Sequence, residues 1–526
     1  AFMNMLKTED NAKYRQTIKN VLEFSPEVLQ RFVNFMNNPD EETAIAQFGK
    51  EDKYFGVATL LATMPGLPMF GHGQLEGFTE KYGMEYRRSY YDESPDAALI
   101  DRHEREIFPL IRRRYLFSGA QHFALFDWVT PDGWVDENVF AYSNRVGGER
   151  ALVVYNNAYT HTRGTLHTST AINEGSAENK ILRRLPLAEA LSLNTEDRWY
   201  LIYREQRSGL EYLLHSRTVA EQGIHLELSG YGCLVLLDWR QVEDFDNSWG
   251  RLHAMLGGRG VPSVEEEYLE MHLASVLDPF RELMCADTLQ QIADPELTEE
   301  GWETVRARIT GFLAAVGARL GNTTPIPDIL DEIRREIAAV HIFAEAFAAL
   351  DMPAPTLSHL TPEEAAEEQG RPAGIYRVLL AVALLRSLGR MAAPTGFVPP
   401  ASIQPLPTTS EEDRHPPLRP AAANRKEGFD VEITTAAWMR EWFLTKQLAR
   451  MFEESDPEKD AWKAAMDARL VRIAIAHGNH LLALATEIWA PIIYTFFEDP
   501  DVRSYLMANR FGGRRWIHAE PLDRML

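Results

Sequence analysis

Residues 31–76 impose the strongest constraint on what this chain can fold into. Val33, Phe35 and Met36 form a short apolar, β-prone run that ends in the turn residues Asn37, Asn38 and Pro39. Tyr54 to Met64 then places Phe55, Ala58, Leu61 and Ala62 on one face of a helix, which Pro65-Gly66 stops. Leu67 to Phe70 is a second short strand, and Gly71 and Gly73 permit a tight loop behind it. Strand, polar loop, helix, Pro-Gly, strand and glycine loop is the rhythm of a βα barrel. Asp40 therefore falls at the carboxyl end of a strand, where barrel and open-sheet enzymes place catalytic groups.

The same residues admit a second reading. Asn38 followed by Pro39 and the acids Asp40, Glu41 and Glu42 is also a helix start, with an N-cap, a proline at the first helical position and carboxylates in the positive first turn. The two readings are compatible, because a catalytic loop can open a short helix.

Beyond residue 118 the pattern becomes antiparallel. Asn138–Asn144 and Arg150–Asn156, joined through Gly147-Gly148, read as a β-hairpin. Further strands are expected at 199–203, 224–228 and 231–238. From about residue 245 helical periodicity takes over, at 244–256, 263–285, 299–320, 326–350 and 375–390, with a break expected at Asp278-Pro279. Eight prolines between Pro394 and Pro420 mark a linker. Helices resume at 435–454, 461–477 and 480–497, and 509–517 reads as a turn with a short strand.

Three of these features resemble the α-amylase superfamily of glycoside hydrolases. Asn38-Pro39-Asp40 is similar to the Asn-His-Asp that ends the seventh barrel strand of that family. Gly66-Leu67-Pro68, with Gly73-Gln74 after it, is similar to the Gly-x-Pro…Tyr-x-Gly-x-Glu of its eighth strand, and the 138–156 hairpin resembles the opening of its following β domain. The resemblance covers about residues 1–240. It implies the C-terminal portion of a (β/α)8 barrel at 1–118 and an antiparallel β domain at 119–240; with a helical region at 241–393, a proline-rich linker at 394–430 and a helical region at 431–526 from periodicity and composition, the expected chain is multidomain α+β. The resemblance also implies that Asp40 stabilises the transition state and that Asn38, His72, Gln74 and Glu76 contact sugar; separately, no cofactor and no metal are expected.

The departures from the family pattern are specific. Pro39 replaces the sugar-contacting His, Gly71 replaces the aromatic, and Leu75 stands at the acid position with Glu76 one residue later. The family's nucleophile lies in an Arg-x-Asp strand and its acid in a later Glu strand, both before Asn-His-Asp. Only thirty-nine residues precede Asp40, and no Gly-x-Arg-x-Asp run follows it. Retaining hydrolysis needs two carboxyl groups about 5 to 5.5 Å apart, so this chain by itself is expected to be inactive, although the complete gene product is expected to be an enzyme. Two unclosed βα units would also carry free strand edges through which the chain could associate.

Composition restricts the partners. A net charge of −23 disfavours nucleic acid. The longest apolar run, Val378–Leu385, is too short for a bilayer, and no secretory leader is visible, so a cytoplasmic location is expected. Cys233 and Cys285 offer neither a disulfide framework nor a metal spacing. Other motifs have ordinary structural explanations: His477 and His480 lack a third ligand, His103-Glu104 lacks the second His of a zinc-protease helix, and Gly257-Gly258-Arg259-Gly260 follows a helix rather than opening one. Asn322-Thr323-Thr324 is a glycosylation sequon by pattern, Arg112, Arg113 and Arg114 suit a helix C-terminus, and Trp438, Trp442 and Trp489 suit packing. The expected partner is an oligo- or polysaccharide of α-glucan type. Two rival functions are a non-catalytic amylase-like binder of sugar or protein, and a scaffold in which the acidic helical region acts.

Overall fold

The computed structural model describes residues 2–81, 88–321, 326–349, 374–392, 430–455, 460–482, 496–511, 514–518 and 521. Nearly all of the proline-rich segment, the 322–324 sequon and Trp489 fall outside them. The chain divides into two compact units, Ala1–Leu269 and Glu270–Leu526.

The first unit begins with helices α1 (Phe2–Thr8) and α2 (Asn11–Phe24) and a 3-10 turn at Pro26–Arg31, which leads into strand β1 (Val33–Phe35). Helices α3 (Ala44–Phe48) and α4 (Asp52–Thr63) then cross to β2 (Leu67–Met69). β1 and β2 pair in parallel, Val33 opposite Leu67 and Phe35 opposite Met69, as the sequence rhythm requires. Among the described residues the pair gains no third strand, so the expected barrel portion is a two-stranded ribbon and no closed barrel forms. Val33 and Leu67 are exposed on it.

Helices α5 (Ala97–Glu106), α6 (Phe108–Arg112) and α7 (Arg114–Phe117) follow. Next come strands β3 (Ala124–Phe126), β4 (Val139–Val146), β5 (Glu149–Asn156), β6 (Thr162–Leu166), β7 (Ile172–Asn173) and β8 (Leu182–Arg183). A short helix α8 (Leu187–Ala190), strands β9 (Trp199–Glu205) and β10 (Glu211–His215), helix α9 (Ser216–Gln222) and strands β11 (Ile224–Leu228) and β12 (Cys233–Glu243) complete the β region. Six strands form an antiparallel sheet in the order β10-β9-β12-β5-β4-β3, and β6 pairs separately with β11. The β4–β5 hairpin has the expected turn, with Arg145 opposite Arg150.

Period-two alternation divides this sheet between two cores. Phe140, Tyr142, Val153, Tyr155, Val235 and Leu237 face the helices α1 to α7, whereas Val139, Ala141, Leu152, Val154 and Leu236 face β6, α8 and α9. The helical opening and the β sheet therefore share one core, and β12 runs past residue 240 to Glu243.

Helices close the first unit, which ends at Leu269, and build the second. Helix α10 (Ser248–Leu256) starts four residues later than expected, and Asn247 before it has φ +62. α11 (Val264–His272) gives way to α12 (Ala274–Leu283), then α13 (Ala286–Ala293), α14 (Glu299–Leu320) and α15 (Ile326–Ala349). The break falls at Leu273, and Pro279 lies inside α12. A proline removes only the bond to the carbonyl four residues before it, here that of Ser275 in the first turn of α12, so the helix runs through Pro279 and the break expected there does not form. The expected helix at 435–454 is two helices, Val431–Glu441 and Leu444–Glu454, parted at Phe443 with φ +56. A single helix, Ala461–Leu482, passes through Gly478, and Asn509–Phe511 pairs antiparallel with Arg514–Trp516.

One buried carboxylate organises part of this unit. Glu270 is 7% exposed and meets Lys446 at 2.7 Å, Arg450 at 3.3 Å and the Gln447 amide at 3.0 Å. Burial alone would raise its pKa, but the Lys446 hydrogen bond and charge, with Arg450 and Gln447, hold it below the ordinary 4.5. A depressed folded-state pKa gives stability that is present above 4.5 and is lost as pH falls through the lower folded value. Glu270→Gln is expected to lower stability at neutral pH by about 2 kcal/mol. The difference from the native chain in urea midpoint should shrink below about pH 4.5. A gap that stays constant through acid would refute this role.

Candidate functional site

The loop after β1 is held from within. Met36 and Asn37 are buried, and Asn38 Oδ1 accepts hydrogen bonds from the backbone N–H of Asp40 at 2.9 Å and of Glu41 at 3.1 Å. Asn38 thus closes a turn instead of capping a helix. The helix starts at Ala44, with Thr43 as its N-cap accepting from Ala46. Gln47 Nε2 donates to the carbonyls of Met36 and Glu42 at 3.1 and 2.7 Å, which ties the loop to α3. Asp40 is exposed, and its carboxylate takes part in no hydrogen bond or ion pair among the described residues.

The loop after β2 is equally constrained. Gln74 is 1% exposed: its Oε1 accepts from the Gly71 N–H at 3.1 Å, its Nε2 donates to Met36 Sδ at 3.4 Å, and its carbonyl accepts from the Tyr54 hydroxyl at 2.7 Å. Gln74, expected as a sugar contact, therefore lies inside the loop with its amide already bonded. His72 is exposed, with its ring 6.2 Å from that of Phe78, and Glu76 is half-buried.

Parallel pairing sends both loops off the same end of the strands, and three contacts join them. Gln74 reaches Met36, Lys81 Nζ donates to the Asp40 carbonyl at 3.1 Å, and Gly71 packs against Asn37. A Cβ on Gly71 would lie 2.3 Å from Asn37 Oδ1, so Asn37 fills the space that a side chain at position 71 would need. Asn37 is read from the sequence only as a turn residue, and Lys81 is not read at all. The doubled Asn37-Asn38 opposite Gly71 was the available signal for the first; the second had none.

Beneath the loops, His103 is fully buried, with Nδ1 2.9 Å from the Leu99 carbonyl and Nε2 3.2 Å from the Tyr54 hydroxyl. Burial lowers its pKa despite the Leu99 contact and the Glu106 and Glu76 charges, and burial pushes the Tyr54 phenol well up. Both act as neutral struts. Arg112 stands in the last turn of α6 as expected, whereas Arg113 and Arg114 serve other elements. Arg114 donates to the carbonyls of Ala62, Met64 and Gly66 at the end of α4, and Arg113 pairs with Asp238 at 2.7 Å. Burial pushes Arg114 down to about 10. His477 contacts Asp499 Oδ2 at 3.3 Å. No group of three or more metal-ligating side chains occurs among the described residues, and no helix among them is long and apolar enough to cross a membrane.

No family model and no curated protein matches this chain. Among solved structures it is similar to an α-amylase of Geobacillus thermoleovorans complexed with acarbose, at 17% identity over 40% of this chain and 39% of that enzyme, with a TM-score of 0.27. It is similar to the maltogenic α-amylase AmyB of Thermotoga neapolitana at 14% identity over 44% of this chain and 47% of that one, TM-score 0.29. A debranching enzyme of Nostoc punctiforme gives 15% identity over 43% and 38%, TM-score 0.27. The chain thus spans less than half the length of each.

Proposed function

We propose that this chain is a carbohydrate-active protein of α-amylase type, in which the loops after β1 and β2 form part of a sugar-binding cleft. The observation that carries the reading is the parallel register of Val33 with Leu67, which brings the Asn38–Asp40 and Gly71–Glu76 loops to one end of the ribbon. In this reading Asp40 supplies the negative field that stabilises an oxocarbenium-like transition state. Asn38 fixes the turn that presents it, His72 and Glu76 offer polar contacts to an α-glucan, and Gln74 holds the second loop in place. The family reaction would be hydrolysis or transfer of an α-glycosidic bond.

This reading assigns neither a nucleophile nor a general acid to a residue of this chain. The purified protein should therefore protect segments 36–42 and 70–76 from hydrogen exchange when maltoheptaose is added, and should release no reducing sugar from it. Asp40→Asn should abolish that protection. Sugar release by the chain alone, lost in Asp40→Asn, would overturn the inactive reading, and unchanged exchange at both loops would overturn the cleft.

A further inference from the structure

Seven non-glycine residues have left-handed backbone conformations among the described residues, and two of these touch. Glu9, at φ +60, follows α1; Tyr231, at φ +55, precedes β12. The Tyr231 hydroxyl donates to Glu9 Oε1 at 2.7 Å, and Lys53 Nζ reaches the same oxygen at 2.6 Å. Lys53 also stands 5.2 Å from the Tyr231 ring centroid. L-residues adopt this conformation only when their surroundings impose it, and such positions concentrate at binding sites. The hydrogen bonds and charge lower the Glu9 pKa against its burial, so the carboxylate stays ionised.

Tyr159 lies beside this cluster, 83% exposed, with its ring centroid 5.8 Å from that of Tyr231 and inclined to it by 50°. Its loop is fixed: Asn156 Nδ2 donates to the Thr160 and Ser229 carbonyls at 2.6 and 3.0 Å, and the Tyr231 N–H donates to the Ala158 carbonyl at 2.9 Å. An exposed ring on a braced loop is a rigid apolar platform that loses little entropy on binding. Glu9 Oε1 takes both of the internal bonds, so Oε2 remains as an acceptor, and Lys53 Nζ, which also donates to the Lys7 carbonyl at 3.1 Å, keeps its third proton as a donor.

We propose that Tyr159, Tyr231, Glu9 and Lys53 form a second sugar-binding site. A pyranose ring would stack its C–H face on Tyr159 while its hydroxyls bond to Glu9 Oε2 and Lys53 Nζ. The choice of sugar as ligand rests on the carbohydrate reading above; the geometry of the site does not depend on Asp40.

The test is hydrogen exchange on the full chain with maltoheptaose and, separately, cellohexaose, read at segments 156–161 and 229–232 and at the two ribbon loops. Maltoheptaose should protect 156–161 and 229–232 in the native chain and in Asp40→Asn. Tyr159→Ala should weaken that protection about tenfold in sugar concentration, as expected for loss of an aromatic anchor. Tyr159→Phe should retain it. Loss of protection only at 36–42 and 70–76 in Asp40→Asn, with Tyr159→Ala unchanged at every segment, overturns the second site and leaves the proposed function standing. Protection of 156–161 by cellohexaose alone, lost in Tyr159→Ala, keeps the site and overturns the α-glucan reading. No protection of 156–161 by either sugar overturns the second site.

Discussion

Replacing Arg15 by methionine is expected to unfold the first unit under conditions in which the native chain is folded. Arg15 is completely buried, yet its guanidinium is fully engaged. Nε donates to Glu137 at 2.5 Å, Nη2 to Asp127 at 2.8 Å and Nη1 to the Val139 carbonyl at 2.7 Å, with the Phe126 carbonyl at 3.3 Å. These bonds tie α2 to β3, to β4 and to the loop between them. Methionine fills much of the volume but leaves the carbonyls without donors, and Lys19 alone against two carboxylates. Breaking a buried ion pair from one side costs about 3–5 kcal/mol. That is a large share of the roughly 5–15 kcal/mol that holds a typical domain. Urea unfolding followed by tryptophan fluorescence should show a markedly lower midpoint for Arg15→Met. Arg15→Lys should recover little, because one ammonium cannot span both carboxylates and the carbonyls. A midpoint unchanged in either variant would show that the network adds nothing net.

Gly66→Ala should be nearly as damaging, for a different reason. Gly66 has φ +106, and a Cβ there would sit 2.3 Å from the Phe32 carbonyl oxygen and 2.9 Å from that of Leu29. Both obstacles are backbone, and neither can rotate aside. The segment cannot retreat, because the Gly66 carbonyl is held by Arg114 and the Leu67 N–H by the Phe32 carbonyl at 2.8 Å. Strain and overpacking together should cost roughly 3 kcal/mol. Gly147 supplies the control: its φ is +57, but nothing lies within 4 Å of an added Cβ. Gly147→Ala should cost only about 1 kcal/mol, from backbone strain alone. Gly66→Ala should also shift β2 against β1 and so abolish maltoheptaose protection at segment 70–76. Equal urea midpoints for the two alanine variants would refute the steric argument.

The legible parts of the fold were those whose cause is local. The β4–β5 hairpin follows from alternating residues around Gly147-Gly148, and α14 follows from Thr298, whose hydroxyl accepts from the Gly301 N–H, and from Gly321 beyond its end. β6 and β10 were missed because Thr162–Leu166 and Glu211–His215 alternate weakly and become strands only by pairing with β11 and β9. The split at Phe443 was missed because a left-handed phenylalanine has no signature in the sequence.

At the candidate site the same division holds. Asp40 at a strand end, the parallel relation of the two strands and the glycine loop behind the second were all readable from residues 31–76, because strand, turn and helix signals act over a few residues. The inward turn of Gln74, the Asn37–Gly71 contact, the reach of Arg114 to α4 and the junction of Glu9 with Tyr231 were not. Each joins residues separated by 34 positions or more and depends on which side chain reaches a buried polar group first. The sequence by itself determined where the chain turns and which acid is presented at the end of β1. Only tertiary packing decided which polar groups face solvent, since a buried donor or acceptor must be satisfied by whatever neighbour the completed fold brings to it.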